Sequence, residues 1–223
     1  MQPAEVRQQS FAFDDGLGGP QTYVEQPVSD ALHLDQAHAT ATGRGVKVAI
    51  IDTGADLTHP MLRGSITGGR DFIDNDTDPT DKRSLVPDRT GLVDPAFGHG
   101  THVAGIVHLV APDAQLLIVR VLDANGRGDF VDVAAGVRWA VQQGAKVINL
   151  SLGSSVAHGV DALQNALEDA ANAGVIVIAA AGNQASINVD FPARSSSTLC
   201  VAAVDASGAA APFSSFNHSE VVL

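Results

Sequence analysis

The sequence predicts an α/β protein with a mainly parallel central sheet flanked by helices. Its strongest apolar runs are continuous rather than alternating, which is typical of strands that are buried on both faces. The segments between these runs place apolar residues at helical spacing and end in glycine. With 223 residues, of which 45% are hydrophobic, the chain is long enough for one domain with a single core.

The predicted elements begin after a polar, glycine-rich N-terminal extension at residues 1–28. A domain over 29–223 follows, and it opens with a short helix within 29–45. Two longer helices are predicted within 129–144 and 158–174 because of their apolar spacing. The predicted strands are 46–52, 115–122, 146–152, 174–182 and 198–204. Because strands and helices alternate, we expect the strands to be connected as parallel βαβ units.

The formal net charge of −12 argues against nucleic acid and the membrane surface as partners, because phosphate contacts need clustered lysines and arginines. No apolar stretch reaches the length that spans a membrane, and residues 1–19 lack the charged and apolar regions of a signal peptide. The single cysteine, Cys200, excludes an internal disulfide and a cysteine-based zinc site. An acidic enzyme surface fits this composition better.

Polar residues follow three of the predicted strands, where functional residues gather in a parallel sheet. Asp52 ends the first strand, Ser151–Gly153 ends the third and Asn183 follows the fourth. The segment FGHGTHVAGIV, residues 97–107, is predicted to be a loop that enters a helix, with His99 in the first turn. A histidine there, oriented by a strand-tip carboxylate, is the arrangement that a general base needs to deprotonate a hydroxyl nucleophile.

Four motifs, AIIDTGADLTHP, GHGTHVAGIV, INLSLG and AAAGN, resemble in this order those of the subtilisin-like serine endopeptidases, and the likeness spans residues 30–217. The resemblance implies a three-layer subtilisin-like fold and peptide-bond hydrolysis through an Asp/His/Ser triad. It makes Asp52 the triad aspartate, His99 the general base and Asn183 the side-chain donor to the oxyanion. It also implies a secreted protein whose substrate is a polypeptide in extended conformation.

The resemblance also assigns residues to substrate binding. An extended peptide would pair with an exposed backbone edge while its alternate side chains enter pockets. The implied residues are Gly126, Arg127 and Gly128 at the edge, Ser151, Leu152 and Gly153 at the first specificity pocket, and Phe130 beside a more distal apolar pocket.

The chain departs from the family pattern at the nucleophile. Family members carry the serine in a GTSMA-like segment that opens a further helix, and no such segment follows Asn183 before the sequence ends at Leu223. The GSITG run at 64–68 is only a weak likeness to G-x-S-x-G, since Ile66 occupies the serine position and no buried strand is predicted before it. We therefore expect a subtilase domain that lacks its C-terminal part and is nearly inactive alone, with that missing segment or a propeptide as a partner. The alternative is a non-catalytic peptide-binding pseudo-protease.

The acidic segment DFIDNDTDPTD, residues 71–81, resembles the calcium loop of thermitase-like subtilases. By that resemblance Asp71, Asp74 and Asp76 converge on one structural calcium ion, for which oxygen ligands are suited. A solvated acidic turn explains the same residues equally well. No catalytic cofactor is implied.

Simpler alternatives exist for three of these assignments. Asn183 could cap a turn, Ser151–Gly153 could be ordinary packing at a strand end, and His99 could cap a helix entrance. His99 and His102 have the spacing of a metal pair, but no acidic third ligand follows nearby. The sequence leaves the turn and packing alternatives open.

Overall fold

A computed structural model describes residues 27–88, 90–155, 159–205, 207–216 and 221–222. The predicted N-terminal extension, residues 1–28, lies outside the described residues apart from its last two positions. Two short helices open the described chain, α1 at Pro27–Ala31 and α2 at Leu34–His38. They replace the single helix predicted within 29–45, because His33 between them adopts a left-handed conformation with φ 51°.

The strands of the described chain are β1 (Lys47–Asp52), β2 (Ile66–Asp71), β3 (Gln115–Arg120), β4 (Val147–Leu150), β5 (Ile176–Ala180), β6 (Leu199–Val201) and β7 (Val221–Val222). They form one sheet in the order β2-β3-β1-β4-β5-β6-β7, and every pair is parallel. The longer helices connect successive strands and are α3 (His99–Val110), α4 (Phe130–Gln142) and α5 (Asp161–Asn172). None of the helices in the described ranges has the length and apolarity to cross a membrane. The predicted parallel sheet flanked by helices is confirmed.

The five predicted strands are confirmed with shorter ends, whereas β2 and β7 were not predicted. The sequence of β2, ITGGRD, contains two glycines and polar residues and so gives no apolar run. As an edge strand that pairs only with β3, it buries less surface than a central strand. Gly69 is needed in β2 because a Cβ there would lie 2.3 Å from Pro79 Cγ.

The helix ends are set by identifiable groups. The α4 helix begins after Asp129, whose carboxylate accepts a hydrogen bond from Val131 N at 2.9 Å. It ends before Gly144, and α5 ends before Gly174, both of which have positive φ. Both helices lie inside the segments in which they were predicted.

Alternate residues of the buried strands belong to two separate cores. On one face of β1, Val48 and Ile50 pack in a cluster with Val103 of α3. On the other face, Ala49 and Ile51 pack in a cluster that contains the apolar residues of α4 and α5. Burying each valine or isoleucine among them stabilises the fold by about 1.5–3 kcal/mol. The sheet thus lies between two helical layers, which confirms the predicted three-layer arrangement, and polar residues lie at the strand ends.

Candidate active site

The carboxyl ends of three adjacent strands bring the candidate site residues to one edge of the sheet. Asp52 is the last residue of β1, Ser151 directly follows β4, and Asn183 lies shortly beyond β5. Neighbouring strands are about 4.8 Å apart, so β1 and β5, which flank β4, are about 10 Å apart. This edge therefore presents a carboxylate, a hydroxyl and an amide within the span of one bound peptide.

Asp52 and His99 form a hydrogen bond in which ring nitrogen Nδ1 lies 2.7 Å from carboxylate oxygen Oδ1. An ionised carboxylate can only accept, so Nδ1 carries the proton and Nε2 is the basic nitrogen. Thr53 N also donates to Oδ1 at 2.7 Å, and Asp52 is fully buried. The His99 side chain is 12% exposed, so part of its ring remains accessible to solvent. The pair has the geometry of a general base with an orienting carboxylate.

Two glycines allow His99 to come this close to Asp52. Gly98 precedes α3 with φ 88°, a left-handed conformation that favours glycine. A Cβ on Gly100 would lie 1.9 Å from the carbonyl oxygen of Gly54, so any side chain there would push the helix away. The glycines that flank the histidine therefore set the approach of α3 to the end of β1.

Asp81 fixes the start of α3, a role that the sequence did not reveal. Its Oδ2 accepts from Gly98 N at 2.7 Å and from Thr53 Oγ1 at 2.9 Å. Thr53 Oγ1 in turn accepts from Gly100 N at 3.1 Å. Burial raises the pKa of Asp81, and the nearby Asp52 raises it further against the opposing effect of these hydrogen bonds. Asp81 is therefore a positioning residue for His99, although by sequence it is only the last carboxylate of an acidic loop.

A cavity of about 530 Å³ runs along α3. Its largely apolar lining includes Phe97, His102 and Ile106. Burial lowers the pKa of His102, and the charge of His99 lowers it further, which favours a neutral ring that packs against its neighbours. The cavity differs from the predicted specificity pocket, since Ser151–Gly153 does not line it.

The three residues predicted for the specificity pocket differ in their surroundings. Ser151 is partly exposed, and its Oγ accepts from Asn149 Nδ2 at 2.9 Å. Leu152 is 2% exposed and belongs to the core, so its side chain packs behind the strand end. Gly153 is buried, and a Cβ there would lie 3.0 Å from Asp190 Cβ. A peptide would therefore meet the backbone of this segment rather than the Leu152 side chain.

The predicted substrate edge at Gly126–Gly128 is shorter than expected. The amide of Arg127 donates to Asp123 Oδ1, and its carbonyl accepts from Asp123 N, so both groups are engaged within a tight turn. The amide of Gly126 also donates to the carbonyl of Asp123, at 2.9 Å, so any pairing with a substrate backbone would use the Gly126 carbonyl or Gly128. Phe130 is a correction: it is 2% exposed and its ring meets that of Phe191 edge-on, with centroids 5.7 Å apart. As the first residue of α4 it packs in the core and does not flank an open pocket.

The serines near the end of the described chain have structural contacts. Ser215 Oγ accepts from Gln184 N at 3.3 Å, and Ser214 Oγ accepts from Ala203 N at 3.0 Å. Both hydroxyls therefore bind backbone amides of nearby segments.

The GSITG segment at 64–68 contributes a serine–histidine contact. Ser65 Oγ lies 3.1 Å from His108 Nδ1. Ser65 precedes β2 and so lies at the amino edge of the parallel sheet, whereas Asp52 lies at the carboxyl edge. This pair therefore cannot share a site with Asp52.

The carboxylates predicted to bind calcium converge on a side chain of the protein itself. Lys82 Nζ lies 3.2 Å from Asp71 Oδ2, 2.6 Å from Asp74 Oδ2 and 3.8 Å from Asp76 Oδ2. The Arg120 guanidinium lies 2.7 Å from Asp71 Oδ2 and 2.9 Å from Asp74 Oδ2. The hydrogen bond from Lys82 holds the pKa of Asp74 below its usual value.

In this arrangement the acidic loop does not fit calcium. Two positive side chains already face the carboxylates of Asp71 and Asp74. Over the residues that the structure describes, no group of three or more His, Cys, Asp or Glu side chains is arranged to hold a metal ion. Calcium binding here remains a prediction, and it requires Lys82 to move away from the carboxylates.

Comparison with known proteins identifies relatives of this chain. A sequence model of the Subtilase family matches residues 43–222. The chain is 41% identical to thermitase from Thermoactinomyces vulgaris over 195 residues, which cover 83% of this chain and 64% of thermitase. It is 38% identical to subtilisin E from Bacillus subtilis (strain 168) over 205 residues, which cover 86% of this chain and 48% of subtilisin E. The chain thus spans about half to two-thirds of the length of these relatives.

Two solved structures are also similar to this chain. A lanthipeptide protease matches with a TM-score of 0.71 at 29% identity, over 87% of this chain and 58% of that protein. A cold-adapted subtilisin-like serine proteinase matches with a TM-score of 0.66 at 32% identity, over 79% of this chain and 61% of that protein. Since the family match extends across all seven strands and the residues at their carboxyl ends, the chain belongs to the subtilase family.

Proposed function

We propose that this chain carries the acid–base part of a serine endopeptidase site that hydrolyses peptide bonds through an Asp/His/Ser triad. His99 takes the proton of the serine and returns it to the leaving amine, while Asp52 holds the ring in the required tautomer. Asn183 donates a hydrogen bond to the oxyanion of the tetrahedral intermediate. The observation that carries the proposal is the 2.7 Å bond between His99 Nδ1 and Asp52 Oδ1 at the carboxyl edge of the sheet.

The nucleophile is proposed to come from a segment outside this sequence. Support comes from Ser214 and Ser215, whose hydroxyls accept hydrogen bonds from backbone amides. Without its serine a subtilisin loses turnover by a factor on the order of a million, about as much as without the whole triad. The 223-residue chain alone should therefore be nearly inactive.

The proposed substrate is a polypeptide in extended conformation. Its backbone would pass between Gly126 or Gly128 on one side and Ser151–Gly153 on the other, with the attacked carbonyl near Asn183. From the family likeness we also propose that the whole protein is secreted and that a propeptide or a segment beyond Leu223 is its partner.

A fluorophosphonate probe, which modifies only activated serines, distinguishes an enzyme from a peptide-binding pseudo-protease. The complete gene product should be labelled, His99→Ala should abolish labelling, and the 223-residue chain should stay unlabelled. A complete product that binds peptides but is not labelled by the probe would support the pseudo-protease hypothesis and contradict the triad proposal.

A further inference from the structure

The loop between β5 and β6 brings a second carboxylate to the candidate site. Asp190 is 5% exposed, and its amide donates to the carbonyl of Ala181 at 3.0 Å. Its neighbour Phe191 exchanges backbone hydrogen bonds with Ser154 in both directions, at 2.8 and 3.0 Å. These bonds tie Asp190 between the segments that follow β4 and β5.

Two glycines make room for the Asp190 side chain. A Cβ on Gly153 would lie 3.0 Å from Asp190 Cβ and 3.5 Å from its Oδ2. A Cβ on Gly182 would lie 2.8 Å from the same Oδ2. Gly153 belongs to the proposed specificity pocket, and Gly182 directly precedes Asn183. The Asp190 side chain therefore packs against the backbone of both segments.

The electrostatic setting of Asp190 favours a positive partner. Burial raises the pKa of Asp190, while the charge of Arg194 and a hydrogen bond with Gln184 lower it. The Arg194 guanidinium stacks on the Phe191 ring, 5.7 Å from its centroid. A buried carboxylate is costly unless it is well paired, so a cation that entered the pocket would be stabilised there. The net charge of −12 also favours the approach of cationic peptides.

We propose that Asp190 determines substrate specificity by selecting lysine or arginine as the residue whose carbonyl is attacked. The inference rests on the proposed function, because it takes Ser151–Gly153 and Asn183 as two sides of the substrate pocket. The ammonium or guanidinium of the substrate forms a charge-assisted hydrogen bond with the Asp190 carboxylate. An uncharged side chain of similar shape leaves that carboxylate buried and without this partner, so it binds less well.

Peptide binding tests this role without requiring turnover. Acetyl-Ala-Ala-Ala-Lys and the same peptide ending in norleucine share a four-carbon side chain, and only the first carries an ammonium group. Calorimetric titration into the complete gene product should show the lysine peptide binding roughly tenfold more tightly. Asp190→Asn should remove this difference. Asp169→Asn, which removes one negative charge from an exposed position on α5, should keep it.

The outcomes separate the role of Asp190 from the pocket itself. Equal affinity of the wild-type protein for the two peptides would show that Asp190 does not select a charged side chain, although the peptides still bind. This outcome does not depend on whether the variant folds. Failure of both peptides to bind would overturn the pocket and the proposed function together. A folded Asp190→Asn chain that still prefers the lysine peptide would also overturn the role of Asp190.

Discussion

His99 depends on small residues around it as much as on Asp52. The carboxylate orients the ring, but the helix can approach only because Gly98 and Gly100 flank the histidine. Asp81 then joins the helix start to Thr53 at the end of β1. The geometry of the His99–Asp52 pair therefore depends on several neighbouring positions, two of which are glycines without a side chain.

Gly100→Ala should separate α3 from the end of β1, because the added methyl group would meet the Gly54 carbonyl at 1.9 Å. We expect a loss of about 3 kcal/mol in the free energy of unfolding, measured with urea. Gly144→Ala is the control, since φ there is 82° but the methyl group meets open space, so only backbone strain of about 1 kcal/mol is added. Equal losses for the two variants would show that the close approach is unimportant.

Asp81→Asn should change how stability depends on pH. The folded-state pKa of Asp81 is raised above 3.8, so the unfolded chain ionises first as the pH rises, and this carboxyl then contributes less to stability. Asparagine keeps an acceptor oxygen for Thr53 and Gly98 but does not ionise. The variant should therefore gain stability relative to wild type as the pH rises above 3.8, and the gain should level off above the folded-state pKa.

Urea unfolding of both chains over a pH series measures that difference. A difference that stays constant with pH would show that burial does not perturb the Asp81 carboxyl. A gain that appears as the pH falls would contradict the sign of the shift.

The contact between Asp52 and His99 could be predicted from sequence, whereas the contacts of Asp81 and Asp190 could not. The first two lie where a buried strand ends and a helix begins, and both boundaries are visible as apolar patterns. Asp81 and Asp190 lie in loops, whose path depends on contacts with distant segments such as Gly98 and Ser154. Phe130 was assigned wrongly because its position in the chain does not reveal that it faces the core.

The same distinction applies to whole elements. Strands with continuous apolar runs could be predicted because burial on both faces requires them. The edge strand β2 could not, since its contacts with β3 are formed largely by backbone and tolerate glycine. The acidic loop that follows β2 was recognised, but its spacing alone does not show which cation its carboxylates face.

Lys82→Met tests whether the acidic loop holds its own cation. Arg120 still faces Asp71 in the variant, so we expect a loss of about 1 kcal/mol and a melting temperature lower by roughly 2–4 °C. Asp74 has a lowered pKa, so its ion pair contributes above pH 3.8 and is lost as the pH falls through the folded-state pKa. The difference between wild type and variant should therefore shrink in acid.

Calcium and a chelator extend this experiment. The wild-type melting temperature should be the same in both, and calcium should restore stability only to Lys82→Met, whose carboxylates are no longer occupied by an ammonium. A wild-type chain that melts higher in calcium than in chelator would instead support the calcium loop suggested by the sequence.

At the scale of the whole molecule, one parallel sheet explains why distant motifs meet. Asp52 and Asn183 are far apart in sequence, yet their strands flank β4 and end at the same edge. Helices cover both faces of the sheet, whereas the edge formed by the carboxyl ends of the strands carries the candidate site residues. Fold and family could therefore be predicted, while the extent of the substrate edge required the folded turn at Asp123.

The paired His99 and Asp52 are proposed to form the base of a peptide-hydrolysing site. Turnover of a fluorogenic peptide by the complete protein tests this role when wild type is compared with His99→Ala, with His38→Ala in α2 as the control. We predict that His99→Ala lowers turnover by a factor on the order of a million, the scale of the loss when subtilisin lacks its catalytic histidine, and that His38→Ala has little effect. Unchanged turnover in His99→Ala would contradict the account.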